Sequence, residues 1–150
     1  MSKLSCGLLV YKRTDGEIKL LLLHPGGPFW ANKDNWTIPK GETNGDEDEV
    51  EAARREFNEE VGIAAPDGEL LDLGVLKQPP NKTNHIWATE ADVNLDNFKC
   101  NQFLMEWPPK SGQMKSFPEC DRAEWFTLAT ARKKLFKNLL GFLDRLESEL

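Results

Sequence analysis

Basic residues are in deficit: 19 Lys and Arg stand against 25 Asp and Glu, a formal net charge of −6 at pH 7. A protein that grips long nucleic acid through its backbone needs a surplus of Lys and Arg facing the phosphates, so the charge argues against that class of partner. A small polyanion held through a metal is not. Histidine is almost absent, and His24 and His85 stand at no spacing suited to a metal site or a nucleophile. No Ser or Cys lies in a nucleophile motif either, which argues against covalent catalysis. The three cysteines, Cys6, Cys100 and Cys120, are odd in number, widely spaced and without a CxxC pair; they read as reduced, mostly buried thiols of a reducing compartment. No apolar run approaches the length of a membrane span, and the stretch Met1 to Tyr11 lacks the cleavage site and apolar core of a signal peptide. The expectation is a cytoplasmic protein with no membrane partner.

What is present suits a folded domain. Of the 150 residues, 39% are hydrophobic and 29% charged, with five Trp and eight Phe. That is enough chain for one domain, 1–150, to bury its core without disulfides. Leu4 to Tyr11 and Ile18 to His24 are strand-like runs joined by Thr14-Asp15-Gly16-Glu17, which has hairpin turn chemistry. Pro25 to Asn35 reads as an irregular loop leading into a short extended piece, Trp36-Thr37-Ile38. From Asp46 to Val61 the period changes: Val50, Ala53, Phe57 and Val61 make one apolar stripe on an amphipathic helix that stops at Gly62. Strands are expected over Leu70 to Leu76, Ile86 to Ala91, Phe103 to Trp107 and Ala123 to Phe126. One or two helices follow over Leu128 to Leu150, interrupted near Asn138 to Gly141. The order suggests an α/β (α+β) fold, a mixed sheet with helices on both faces.

The acidic helix carries the chemistry. Residues three and four apart on a helix are neighbours, so Glu56 lies beside both Glu59 and Glu60. Like charges at this spacing destabilise a helix by a few tenths of a kcal/mol per pair. They also sit in the last turns, where the helix dipole disfavours anions. A divalent cation answers both objections: carboxylate oxygens are the donors that Mg²⁺ takes, with Mn²⁺ as a substitute, leaving positions open for water and phosphate. Arg55, four residues before Glu59, is placed to orient a carboxylate by a charge-assisted hydrogen bond. For Asp46 to Glu49 a solvated face at a helix N-terminus is a sufficient reading.

Gly41, five residues, Glu47, seven residues, then Arg55-Glu56-Phe57-Asn58-Glu59-Glu60-Val61-Gly62-Ile63 resembles the Nudix box at every charged and glycine position. Seven such identities at fixed spacing arise by chance in fewer than about one in 10⁷ starting positions at average residue usage. Phe57 departs from the branched aliphatic residue usual in the family, but it falls on the apolar stripe and so concerns packing. A Trp-x-x-Pro lead-in at Trp36 to Pro39 and a Glu-x₅-Trp at Glu119 to Trp125 extend the likeness over most of the chain.

The resemblance implies a Nudix α/β/α sandwich, its mixed sheet lying between helices. In such a protein Gly41 contributes a backbone carbonyl to the metal and Glu56, Glu59 and Glu60 contribute carboxylates, with Glu47 and Arg55 in support. The implied reaction is metal-assisted attack of water at phosphorus, cleaving a phosphoanhydride bond. The activating base belongs either to the box, at Glu56 or Glu59, or to a later Glu, with Glu119 the first choice and Glu106 the second.

The lead-in segment Trp36 to Glu42 is similar to that of diadenosine-tetraphosphate-type Nudix hydrolases. The expected partner is accordingly a small-molecule nucleotide, a diadenosine polyphosphate or a nucleoside triphosphate. Lys40 at the mouth of the box is the expected phosphate contact, as a mobile point charge. Trp36 is the expected substrate contact among Phe29, Trp30, Trp36, Trp87 and Trp107, which offer stacking faces for a base. Nucleotide sugars, dinucleotide cofactors and capped RNA ends stay open, as does a nucleotide-sensing or protein-binding module without catalysis. The expected assembly is a monomer or homodimer.

Overall fold

The computed structural model describes residues 3–150; Met1 and Ser2, the first residues of the N-terminal stretch read above, lie outside them. Two long strands begin the chain, β1 (Lys3–Thr14) and β2 (Glu17–Pro25). Asp15 and Gly16 both take positive φ between them, as the tight two-residue hairpin requires. A loop then leads to β3 (Lys40–Glu42) and helix α1 (Glu49–Val61). Strands β4 (Leu71–Gln78) and β5 (Lys82–Glu90) follow, then β6 (Gln102–Glu106), β7 (Met114–Pro118) and β8 (Cys120–Thr127). Helices α2 (Leu128–Lys134) and α3 (Leu140–Glu149) close the chain, separated by a single 3₁₀ turn over Lys137–Leu139.

The main sheet runs β4-β5-β1-β2-β8, with β3 added against β1. The β1–β5 pairing is parallel and the others antiparallel, so the sheet is mixed as expected. Each face is covered. Cys6, Leu8, Val10, Leu21 and Leu23 pack with Ala53, Phe57 and Val61 of α1. Leu9, Tyr11, Leu20 and Leu22 pack with Ala131 of α2 and with Phe142, Leu143 and Leu146 of α3. Burial on both faces is why β1 and β2 read as continuous apolar runs and not as alternating ones.

Helix α1 begins three residues later than its acidic run suggests. The Asp48 carboxylate accepts from the Glu51 N–H at 3.1 Å and caps the helix, leaving Asp46 and Glu47 outside it. Gly62 ends it in the left-handed conformation, φ 75°, donating to the Asn58 carbonyl. Strand β7 lies outside every strand read from the sequence. It pairs with β6 as a separate two-stranded ribbon beside the main sheet.

Candidate active site

The last two turns of α1 point at β3. Gly41 is paired with Cys6 of β1, and its Cα lies directly under the Glu56 carboxylate: a Cβ there would stand 2.2 Å from Glu56 Cδ. Only glycine lets the helix carboxylate rest on the strand. Arg55 then fans over the cluster. Its Nε and Nη2 donate to both oxygens of Glu47 at 2.8 and 2.9 Å, Nη1 donates to Glu56 at 2.8 Å and to Glu59 at 3.2 Å, and Nη2 also reaches the Glu42 carbonyl at 3.1 Å. Arg55, joined by the Asn44 N–H that also donates to Glu47, keeps the Glu47 carboxyl below the usual range. The sequence anticipated one of these bonds; the structure makes Arg55 the hub of three carboxylates.

Glu60 points the other way, into the protein, and is 8% exposed. Burial, reinforced by the Glu56 charge, pushes its carboxyl up to about 9, against a partial offset from Lys40. Glu56 is also raised, first by burial. Backbone pairing brings the later Glu to the same place: Asn101 donates to the Glu59 carbonyl at 3.2 Å, Glu119 donates to the Asn101 carbonyl at 2.8 Å, and Gly26 donates to the Glu119 carbonyl at 2.8 Å. Glu119 is raised by burial and by the Glu59 charge. Lys40, Glu60 and Glu119 share one cleft with Pro25, Thr37, Ile38 and Cys120. Desolvation in that cleft, with the Lys82 ammonium alongside, pulls Lys40 down to about 8.

Two expected residues are placed elsewhere. Trp36 is 2% exposed, its indole N–H donating to Asp34 and its ring packed edge to face against His24 and Phe126, so it offers no stacking face to a ligand. Glu106 sits at the end of the β6–β7 ribbon, where its carboxylate accepts from the Lys110 and Gly112 N–H groups at 2.9 and 3.2 Å. It shapes a turn and does not join the cluster.

Among the described residues, no three His, Cys, Asp or Glu side chains are gathered into a ready metal-ligand set. The donors nonetheless suit a hard cation. Glu60 is a buried carboxylate whose one side-chain hydrogen bond among the described residues comes from the Cys120 thiol, at 3.8 Å, and the Gly41 cradle leaves room for carboxylate oxygens against the backbone. Arg55 is the counter-ion of Glu56 and Glu59. No local pattern marks Gln78, Lys82, Phe136 or Asn138, which the fold brings beside Lys40 from distant parts of the chain.

A family model described as the NUDIX domain matches residues 1–146. The chain is 31% identical over 111 residues to an uncharacterized 17.7 kDa protein of Enterobacteria phage T4, covering 69% of this chain and 74% of that one. It is 30% identical over 108 residues to the asymmetrical bis(5'-nucleosyl)-tetraphosphatase of Mus musculus, covering 64% of this chain and 71% of the mouse protein. In structure it is similar to a Caenorhabditis elegans Ap4A hydrolase solved as a binary complex: TM-score 0.69 and 22% identity, over 98% of this chain and 96% of the other. Among the described residues no helix is long and apolar enough to cross a membrane.

Proposed function

From the chain's membership of the Nudix family of hydrolases, we propose that it cleaves a phosphoanhydride bond in a nucleoside polyphosphate, with dinucleoside polyphosphates the first choice. The observation that carries this is the Glu56 carboxylate resting on Gly41, tied through Arg55 to Glu59, at the end of the same helix whose Glu60 shares a cleft with Glu119. The likeness to the mouse tetraphosphatase supports the choice of substrate.

The Gly41 carbonyl and the carboxylates of Glu56, Glu59 and Glu60 would hold Mg²⁺. Bound there, the ion would neutralise the phosphates and the charge developing on the leaving oxygen. Glu60 keeps its proton in the metal-free protein and gives it up on binding. Arg55 and Glu47 fix the rotamers of the helix carboxylates, so that little reorganisation is left to the moment of reaction. Glu119, raised by burial and by Glu59, accepts the proton of the attacking water. Lys40 neutralises a second phosphate at the cleft mouth.

The test is a Mg²⁺-dependent hydrolysis screen over diadenosine polyphosphates, nucleoside triphosphates, ADP-ribose and nucleotide sugars, with products separated chromatographically. Turnover of a dinucleoside polyphosphate that falls on the order of 10²-fold or more in Glu59→Gln and in Glu119→Gln is the expected result. Turnover unaffected by Glu59→Gln contradicts the assignment.

A further inference from the structure

Two of the three thiols meet beside the carboxylates, and hydrolysis makes no use of them. Cys100 stands just before β6 and Cys120 opens β8, 20 residues apart in the chain. The Cys120 N–H donates to the Cys100 sulfur at 3.1 Å. The Cys120 thiol has one hydrogen and two acceptors in reach, that same sulfur and the Glu60 carboxylate, the latter at 3.8 Å. Both donors of Cys120 thus face the Cys100 sulfur, and donation to a sulfur favours its nucleophilic thiolate. The Cys120 thiol accordingly holds the Cys100 thiol below the ordinary range, against the effect of burial. Cys6 is different. It is fully buried, and burial, with the acids Glu49, Glu47 and Asp48 in support, pushes its thiol up to about 12.

The pair adjoins the backbone joint that sets Glu119. Asn101, next to Cys100, donates to the Glu59 carbonyl and accepts from the N–H of Glu119, the residue before Cys120. Cys120 itself lines the cleft with Lys40, Glu60 and Glu119. A bond between the two sulfurs would take the S–H donor away from Glu60 and would cross-link the two segments that meet at Asn101 and Glu119.

We propose that Cys100 and Cys120 form an oxidation site, which a hydroperoxide converts to a disulfide that lowers turnover in the adjoining cleft. The effect on turnover rests on the hydrolase reading; the sulfur chemistry does not. Cys100, at 7% exposure against 4% for Cys120, is the first to react. Its sulfur attacks the outer oxygen of the hydroperoxide: an S–O bond forms, the O–O bond breaks, and an alcohol, or water from hydrogen peroxide itself, leaves with the thiol proton. The Cys120 sulfur then attacks the Cys100 sulfur: the S–S bond forms, the S–O bond breaks, and the hydroxyl leaves as water with the Cys120 proton. Two electrons pass from the thiol pair to the peroxide, and a dithiol reductant restores them by exchange. Thiols already in contact close this bond with little backbone movement.

The test treats the full chain, under native conditions, with a small excess of hydrogen peroxide, then maps its peptides by mass spectrometry and measures Mg²⁺-dependent hydrolysis of the anhydrides screened above. The wild type is expected to lose two of its three thiols, to yield a linked Cys100–Cys120 peptide, and to lose turnover by about tenfold or more, as when a group supporting metal ligands is disturbed. Dithiothreitol is expected to restore both thiols and turnover. Cys100→Ser is expected to keep its turnover through the same treatment; mapping and reversal on the wild type decide the linkage even where that variant, or Cys100→Ala in its place, folds poorly. Thiols that stay free, a disulfide that includes Cys6, a linked pair with full turnover, or an equal loss in Cys100→Ser overturns the proposal. The two readings fail separately: a mapped Cys100–Cys120 disulfide in a chain that cleaves no anhydride defeats the hydrolase reading, and unlinked thiols in an active chain defeat the oxidation site alone.

Discussion

Single residues define the site through what they leave room for and what they leave uncompensated. At Gly41 a methyl group would meet the Glu56 carboxylate at 2.2 Å. Gly41→Ala is expected to fold, since β3 is short and peripheral, but to lower metal-dependent turnover on the order of 10²-fold by displacing Glu56. Melting curves and rates on the same preparation check both halves of that statement. Glu60 gives a pH signature. In the folded, metal-free chain its proton is held to about 9, against an ordinary value of 4.5. Between those values the unfolded state binds fewer protons than the folded one, so this group's contribution to stability falls as pH rises. Metal-free wild type is therefore expected to lose melting temperature from about pH 5 toward pH 9 relative to Glu60→Gln, and saturating Mg²⁺ is expected to reverse the loss. Parallel pH curves for the two proteins contradict that assignment. That Glu56, Glu59 and Glu60 fall together at the end of α1 was legible from helix spacing; that Glu60 turns into the protein while Arg55 holds the other two was not. Trp36 was not legible: an extended piece of three residues shows too little alternation to tell its inward side from its outward one, and in the fold Trp36 and Ile38 both face the core.

Elements succeed or fail in the sequence according to how local their causes are. Helix α1 has its stripe, its Asp48 cap and its Gly62 stop within a few residues of one another, and all three can be read directly. Its start was misplaced because the acids that precede the cap resemble the acids of a first turn. Strand β7 has no such local cause. Met114-Lys115-Ser116-Phe117-Pro118 is solvated over most of its length and exists because β6 pairs with it. Gln78, Phe136 and Asn138, beside Lys40, come from β4 and from the α2–α3 connection, and no short-range pattern relates them. Gly62 tests the helix stop directly. It holds φ 75°, and a Cβ there would stand 2.1 Å from the Lys99 carbonyl oxygen. Gly62→Ala is expected to destabilise the chain by about 2 kcal/mol or more, through backbone strain and through the clash with the segment that leads to Glu119. Denaturant unfolding measures it, and a change under about 0.5 kcal/mol, the ordinary scatter of surface substitutions, contradicts it.

In the whole molecule the sheet separates two cores, and only the core under α1 supports the carboxylates. Phe142 lies in the opposite core, so Phe142→Ala is expected to cost about 3–5 kcal/mol of stability while leaving metal affinity at 25 °C unchanged. Phe57→Ala, directly beneath the cluster, is expected to lose stability and metal affinity together. Calorimetric metal titrations alongside unfolding curves distinguish the two cases. The fold class was legible because periodicity and element order suffice for a mixed sheet between helices; the meeting of Lys40, Glu60 and Glu119 in one cleft was not, since it depends on where a sheet brings distant segments. The divalent metal site proposed at the end of α1 is tested by titration with Mn²⁺, followed by the electron paramagnetic resonance signal of the free ion. Wild type is expected to bind Mn²⁺ with an affinity that rises with pH, and Glu56→Gln, Glu59→Gln and Glu60→Gln are each expected to weaken it by about tenfold or more. Binding that is unchanged in all three variants would mean that the helix carboxylates are a surface charge cluster and that the metal chemistry assigned to them is wrong.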